Sequence, residues 1–386
     1  MKNKIIAVGP TTQNNTVLNG QTMMFQLFVD EVRRKNIKII IIDIGMSIFK
    51  KHENRVSGRF SIVKLINYTI ILIKFFSILL FNSKQTVYLT TAQSKVGFIR
   101  DYFIINISRF FGCKIIAHQF GANYAVFYNS QSDFFKKLII KTLIKTNRIV
   151  VEGDYTKKQF DFLPEYQSRV YSLPNGLPEK IDSSKIYAKT IDNKKPIKLF
   201  YLSNLIESKG YWDVLEAINI LVNDYKIEIN AVFSGKFLDS VDDIKFKNGA
   251  EGRKAFFEFI KKNNLKGNIT YFEGLYGEKK SEGFKNSHFF LLPSYYINEG
   301  QPVSILEALA YGCVPIVTEY RLIPTMVNKE NGFFVNPKSP NEIADIIKEL
   351  SNKPEKYNRY SQEAIDYYLN NFTAEKYTNH LISLFY

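Results

Sequence analysis

The sequence predicts an α/β protein of two doubly wound halves, and three observations predict it. Short runs rich in Ile and Val recur without strict alternation, as in strands buried on both faces. Helix-like stretches separate most of them, the alternation that builds a parallel sheet. That alternation stops once, at a turn-forming cluster and a polar stretch, and then restarts.

In the first half the strand-like runs are Lys4–Gly9, Ile37–Asp43, Thr86–Thr91, Lys114–Phe120, Arg148–Gly153 and Arg169–Leu173. Leu173-Pro174-Asn175-Gly176-Leu177-Pro178 follows, a cluster of turn formers. The Lys-rich stretch Glu179 to Lys195 then reads as a linker. Strand-like runs resume at Ile197–Ser203, Glu228–Gly235, Asn268–Gly274, His288–Pro293, Val314–Thr318 and Gly332–Val335. The expected division is a first domain over residues 1–177, a linker over 178–196, a second domain over 197–365 and a closing segment over 366–386. In that last segment Thr373 is a plausible N-cap. Tyr377, Leu381, Leu384 and Phe385 form one apolar stripe at helical spacing.

With 45% hydrophobic and 23% charged residues, the 386-residue chain has an ordinary globular composition. Two cysteines, Cys113 and Cys313, are too few and too far apart for a disulfide framework or a Cys-rich zinc site. The apolar run Ile5–Val8 is too short for a signal-peptide core, so a cytoplasmic protein is expected. The net charge of +15 favours phosphorylated substrates or anionic lipid. Codon bias in a chain rich in Ile, Lys and Asn is the competing origin. A nucleic-acid partner is not expected, because no basic tail, zinc finger or RNP-like motif is present.

Ser61 to Asn82 needs a membrane test. Its mean hydropathy over Ile62–Leu80 is about 2.0, high enough to flag a span. Lys64, Asn67 and Lys74 interrupt it, and it lies between two strand-like runs. A buried crossover helix is expected, with Ile62, Ile66, Ile70, Ile73 and Leu80 on its inward face. Contact with a membrane surface is the second reading and a transmembrane helix the third.

Open α/β sheets bind ligands at the carboxyl ends of their strands, and the candidate site residues lie there. Glu299 and Glu307 stand eight positions apart, on a loop and inside the helix that begins near Pro302. If mostly helical, that spacing is about 12 Å, too far for one acid–base pair. It suits gripping two hydroxyl-bearing ends of one extended ligand, assisted by free amides at the helix start. An ordinary loop glutamate and a helix-face glutamate form the competing reading.

The surrounding motifs weigh against that reading. Pro293 to Val327, PSYYINEGQPVSILEALAYGCVPIVTEYRLIPTMV, closely resembles the donor-site segment of family 4 glycosyltransferases, retaining sugar transferases of the GT-B fold. Leu199 to Tyr211 resembles the family's strand, phosphate loop and Lys-Gly turn. Pro174-Asn175-Gly176 resembles its interdomain Pro-Asn-Gly, and Asn331-Gly332-Phe333 the Asn-Gly beyond the donor site. The resemblance covers the second half almost end to end and the first half mainly in architecture. It implies two Rossmann-like domains facing across a cleft, the first binding acceptor and the second a nucleotide sugar, with the last helix returning to the first domain.

Residue by residue, Lys209 matches the lysine that contacts the donor diphosphate. Glu299 matches the glutamate on the donor sugar, and Gln301 and Pro302 lie where backbone groups approach that sugar. Glu307 matches the glutamate on the ribose hydroxyls; Ile305 and Leu306 between them are read as core. The family's Gly-Arg pair appears here as Ser203-Asn204, so one diphosphate contact is missing. Asn204 and Lys236 are the candidate replacements, against an ordinary exposed loop lysine for Lys236. In the first half Asn19-Gly20 stands where the family has Gly-Gly, so Gly20 is a candidate for phosphate approach to a helix start. His118, at the end of Lys114–Phe120, resembles the histidine near the reacting sugar; a histidine satisfied at a domain surface is the competing reading. His52, His288 and His380 are read as structural.

No Asp-x-Asp motif sits in a suitable loop, and Asp242-Asp243 reads as solvated, so neither a metal nor any other cofactor is expected. The implied activity is transfer from a nucleoside-diphosphate sugar, a UDP-sugar foremost, to a hydroxyl of a glycan or lipid-linked acceptor. Work in bacterial surface polysaccharide synthesis, at the inner face of the cell membrane, is expected. The alternative is a non-catalytic protein of the same fold that binds glycan or scaffolds a transferase complex.

Overall fold

The computed structural model describes residues 4–12, 20–45, 62–179, 181, 186–192, 194–240, 243–297 and 299–385, without the side chains of 62–65. Asn19, His52 and Asp242 lie outside these residues, as do most of the linker positions between 180 and 185.

All twelve expected strands are present. In the first half they are β1 (Ile5–Gly9), β2 (Ile39–Asp43), β3 (Thr86–Thr90), β4 (Lys114–Gln119), β5 (Arg148–Val151) and β6 (Val170–Ser172). Six helices accompany them: α1 (Gly20–Arg34), α2 (Ile62–Leu80), α3 (Lys95–Phe110), α4 (Tyr124–Asn129), α5 (Asp133–Leu143) and α6 (Asp154–Lys157). The second half holds β7 (Ile197–Leu202), β8 (Ile229–Ser234), β9 (Ile269–Phe272), β10 (Phe289–Leu292), β11 (Val314–Thr318) and β12 (Phe333–Val335). Its helices are α7 (Tyr211–Asn219), α8 (Gly249–Lys262), α9 (Gly277–Lys285), α10 (Val303–Ala310), α11 (Pro340–Ser351) and α12 (Pro354–Asn371); α13 (Ala374–Ser383) closes the chain.

Each half forms one six-stranded sheet, in the orders β2-β1-β3-β4-β5-β6 and β12-β11-β10-β7-β8-β9. Every pairing is parallel. The second order is the doubly wound one in which β7 starts the sheet and the winding reverses between β7 and β10. The crevice where ligands of such sheets bind therefore opens between the carboxyl ends of β7 and β10. In the first sheet the reversal falls between β1 and β3.

The chain divides into two compact units, residues 1–179 with 373–386, and residues 180–372. The return to the first unit starts at Thr373, not at 366. The reason is that α12 runs unbroken to Asn371 and packs on α10, α11 and β11 of the second unit. Thr373 then caps α13, its hydroxyl accepting from Lys376 N at 3.2 Å. Tyr377, Leu381, Leu384 and Phe385 enter the first unit's core beside α1. Phe385 packs on Phe28 and Tyr88, with centroids 5.6 and 5.8 Å away. Gly176 leaves room for this helix, since a Cβ there would stand 2.7 Å from the Cβ of Tyr377.

The linker is not free at its far end. Lys189 is anchored in the second unit, its Nζ donating to the carbonyls of Phe284 at 2.6 Å and Ser287 at 2.5 Å near the end of α9. A cation there complements the negative end of that helix.

Helix α2 is a crossover, but its inward face is the opposite of the one expected. Ile71, Phe75 and Leu79 are buried, while Ile66, Ile70, Ile73 and Leu80 are exposed. Among the described residues no helix is long and apolar enough to cross a membrane.

Candidate active site

The second unit's switch point collects the strongest candidates. The loop after β7 leads through a short turn to Lys209 and Gly210. Gly210 has φ +78°, and a Cβ there would lie 2.5 Å from the carbonyl oxygen of Pro293. Only glycine tolerates both the conformation and the approach, which explains the Lys-Gly order. Tyr295 N donates to Ser208 O at 2.7 Å, so the loops after β7 and β10 are stitched together.

Across that stitch Lys209 meets Glu299. Its Nζ lies 2.7 Å from Oε1 and 2.8 Å from Oε2, and 4.7 Å from the Tyr296 ring centroid. Ser294 Oγ also donates to Glu299 Oε2. Both side chains are largely withdrawn from water, 14% exposed for Lys209 and 5% for Glu299. Burying an unpaired carboxylate is costly, and the lysine gives Glu299 an ion-pair partner inside the loop.

Glu307 has its own lysine, which sequence reading missed. It lies on α10, 4% exposed, and Lys280 of α9 donates its ammonium to Oε1. The one signal for Lys280 was its place in the first turns of the helix after β9, at the same carboxyl side of the sheet. Ile305 and Leu306, between the glutamates, are fully buried core residues. Gln301 is buried and Pro302 immediately precedes α10, whose start adds free amides.

The proposed diphosphate loops are also placed. Asn204 and Lys236 are both exposed, and Leu205 N donates to Lys236 O at 2.8 Å, which brings the two backbones together. Gly235, at φ +152°, sits where a Cβ would collide with Ser203 O. Asp243 is not simply solvated. It accepts from Glu207 N at 3.2 Å and Ser240 N at 2.9 Å, so it organises the loop beside the Lys209 turn.

The first unit's candidates behave differently. Gly20 is the first residue of α1, and a Cβ there would meet nothing within 4 Å. His118 is not at a surface. It is fully buried at the end of β4, stacked on Phe120 at 4.0 Å, with Tyr88 Oη 2.8 Å from Nδ1. Nε2 is buried without a hydrogen-bond partner. Burial lowers its pKa to about 3, so the imidazole is neutral at physiological pH and cannot serve as a cation. Nearby, Glu152 accepts from Gly121 N and Asn175 Nδ2, both at 2.8 Å. Burial pushes the Glu152 pKa up. The Asn of Pro-Asn-Gly thus works inside the first unit, holding the loop that follows His118.

His288 is structural, as read. Its Nδ1 accepts from Lys198 N at 3.0 Å, and burial with two neighbouring lysines lowers its pKa to about 4. His380 is exposed near the end of α13. Among the described residues no group of three His, Cys, Asp or Glu side chains could hold a metal ion. A cavity of about 870 Å³ lies over the β8–β9 end of the second sheet, lined in part by Asn230, Thr270, Phe272 and Lys279. It contains none of the candidate residues, so the switch-point cluster rests on chemistry rather than on cavity size.

Residues 182–367, most of the second unit, match the family model for glycosyl transferases group 1. No curated protein sequence matches the chain. Solved structures similar to it include a glycosyltransferase from Rickettsia africae, with 13% identity, a TM-score of 0.73, and coverage of 100% of this chain and 98% of that one. HepE of Anabaena, in complex with UDP, has 12% identity and a TM-score of 0.67 over 98% of each chain. Sucrose-phosphate synthase of Thermosynechococcus elongatus has 13% identity and a TM-score of 0.65, covering 99% and 98%. At such identities the likeness is one of fold, and the fold is that of the GT-B glycosyltransferases.

Proposed function

We propose that this chain transfers a sugar from a nucleoside-diphosphate sugar to a hydroxyl of a glycan or lipid-linked acceptor, with retention and without a metal. One observation carries the reading. Two buried glutamates, each held by a lysine, sit at the switch point of a sheet whose sequence matches a glycosyltransferase family model. The solved HepE complexes with UDP and UDP-glucose support a UDP-sugar as donor.

In this reading Lys209 serves two partners. Without donor it neutralises Glu299. An incoming diphosphate competes for the ammonium, and the released carboxylate accepts hydroxyls of the donor sugar. Glu307, oriented by Lys280, accepts the ribose hydroxyls. As the bond from the sugar's anomeric carbon to the diphosphate oxygen breaks, negative charge grows on the leaving group. Lys209 and the helix-start amides of α10 stabilise it. Asn204 and Lys236 are the remaining diphosphate candidates.

The reaction belongs to bacterial surface polysaccharide synthesis at the inner face of the cell membrane, where an anionic surface suits the chain's cation excess. The second reading, a non-catalytic glycan binder or scaffold, is favoured by Asn204 alone, which stands where the resembling family carries an arginine. Incubation with a panel of nucleotide sugars decides between them. Slow release of one nucleoside diphosphate, accelerated by acceptor, is expected; binding of a nucleotide sugar with no turnover under any acceptor would establish the second reading.

A further inference from the structure

Among the described residues, the first unit carries an apolar surface that the rest of its fold leaves uncovered. On α2 the exposed arc is Ile66, Ile70, Ile73, Phe76 and Leu80, continued by Phe81 just past its end. Ile73 is 62% exposed and Phe81 88%. Helix α3 packs beside α2 and adds Ile99, Phe103 and Phe110. Phe76 and Phe111 join the two helices edge to face at 5.5 Å. An exposed apolar cluster of this kind marks an interaction site.

The charges around this surface say what covers it. From Ile62 to Lys114 the sequence contains one acidic residue, Asp101, and it is buried against Arg100 at 2.6 Å. Among the described side chains the exposed charged residues there are Lys74, Lys84, Lys95 and Arg109, all cations. Lys84 lies beside the end of α3, its N donating to Phe111 O at 3.0 Å. A surface with apolar side chains outward and, along α2 and α3, only cations among the described exposed charges matches a lipid bilayer with anionic headgroups. It matches a second copy of the chain poorly, because two such faces would bring like charges together.

We propose that the α2–α3 face of the first unit lies on an anionic membrane, with Ile73 and Phe81 inserted at the headgroup boundary and Lys74, Lys84, Lys95 and Arg109 on the phosphates. This deepens the proposed work at a membrane and rests on it, while remaining independent of the donor site, which lies in the other unit.

Cosedimentation with vesicles tests it. Vesicles of phosphatidylglycerol and phosphatidylcholine in equal parts are compared with pure phosphatidylcholine, using the full chain and an Ile73→Glu/Phe81→Glu variant. The wild type should partition to the anionic vesicles at least about tenfold better than to the neutral ones, and raised salt should weaken it. The variant should lose about tenfold or more, with an unchanged melting temperature because both sites face water. Lys74→Glu/Arg109→Glu should weaken binding to anionic vesicles alone. The proposal is overturned if the wild type stays in the supernatant with anionic vesicles, or if the Ile73/Phe81 variant binds as well as wild type. It is also overturned if the wild type is a dimer that this variant dissociates. UDP binding, measured in parallel, reports on the transferase reading separately: vesicle binding without nucleotide binding would sink that reading and leave the surface standing.

Discussion

Breaking the Lys280–Glu307 pair is the sharpest test of the second unit's site. The Glu307 side chain is 6% exposed and that of Lys280 22%. Lys280→Met takes away the ammonium that faces the buried Glu307 carboxylate, at a cost of about 1–3 kcal/mol once water access at the lysine end is allowed for. Glu307→Gln takes the negative charge from an ammonium that can still reach solvent, and should cost less, about 1 kcal/mol. If the pair is a unit, the double variant should cost less than the sum of the singles, by about 1 kcal/mol or more. Urea unfolding of the four proteins gives the cycle. Calorimetry with UDP gives a second readout: Glu307→Gln should weaken binding by about 1–3 kcal/mol, about fivefold to 150-fold, through lost ribose contacts. Lys280→Met should weaken it less, because the carboxylate remains but is no longer held. Strictly additive stabilities, together with unchanged UDP affinity in both single variants, would remove this pair from the binding site.

Three further outcomes are expected. His118 is neutral when folded, with a pKa of about 3, and titrates near its ordinary value when unfolded. Its stabilising contribution is therefore present above about pH 6.5 and lost as pH falls toward 3, worth about 2 kcal/mol between pH 7 and 5. His118→Gln should shrink the acid-side loss of stability by that amount in urea unfolding; an identical pH slope would show that His118 is reached by protons in the folded state. Leu381→Ala, in the first unit's core, should cost about 2–4 kcal/mol while leaving UDP affinity unchanged; an unaltered unfolding midpoint would contradict the packing of α13. Transfer should persist in EDTA, since Lys209 and helix-start amides are assigned the leaving-group charge; loss restored by Mn²⁺ would overturn that assignment.

What the sequence made legible follows from the range of the physics involved. The strands were legible because burial on both faces writes an apolar run directly into consecutive residues. Lys209, Glu299 and Glu307 were legible as a motif, and Gly210 as the glycine its turn needs. Their pairing was not, because the Lys209–Glu299 bond joins loops after two different strands and the Lys280–Glu307 bond joins two different helices. His118 was placed correctly at the end of β4, yet its burial depends on Tyr88 and Phe120 closing around it. Helix α2 is the instructive failure. Ile66, Ile70 and Ile73 are as apolar as Ile71, Phe75 and Leu79, so periodicity had no contrast with which to choose a face. Packing against α3 and the sheet chose the second set. The sequence pattern of α2 is what a helix needs when both faces meet apolar surroundings, protein on one side and, in the reading proposed here, lipid on the other. The missing acids between Ile62 and Lys114 point the same way, since folding alone does not require exposed positions to avoid negative charge.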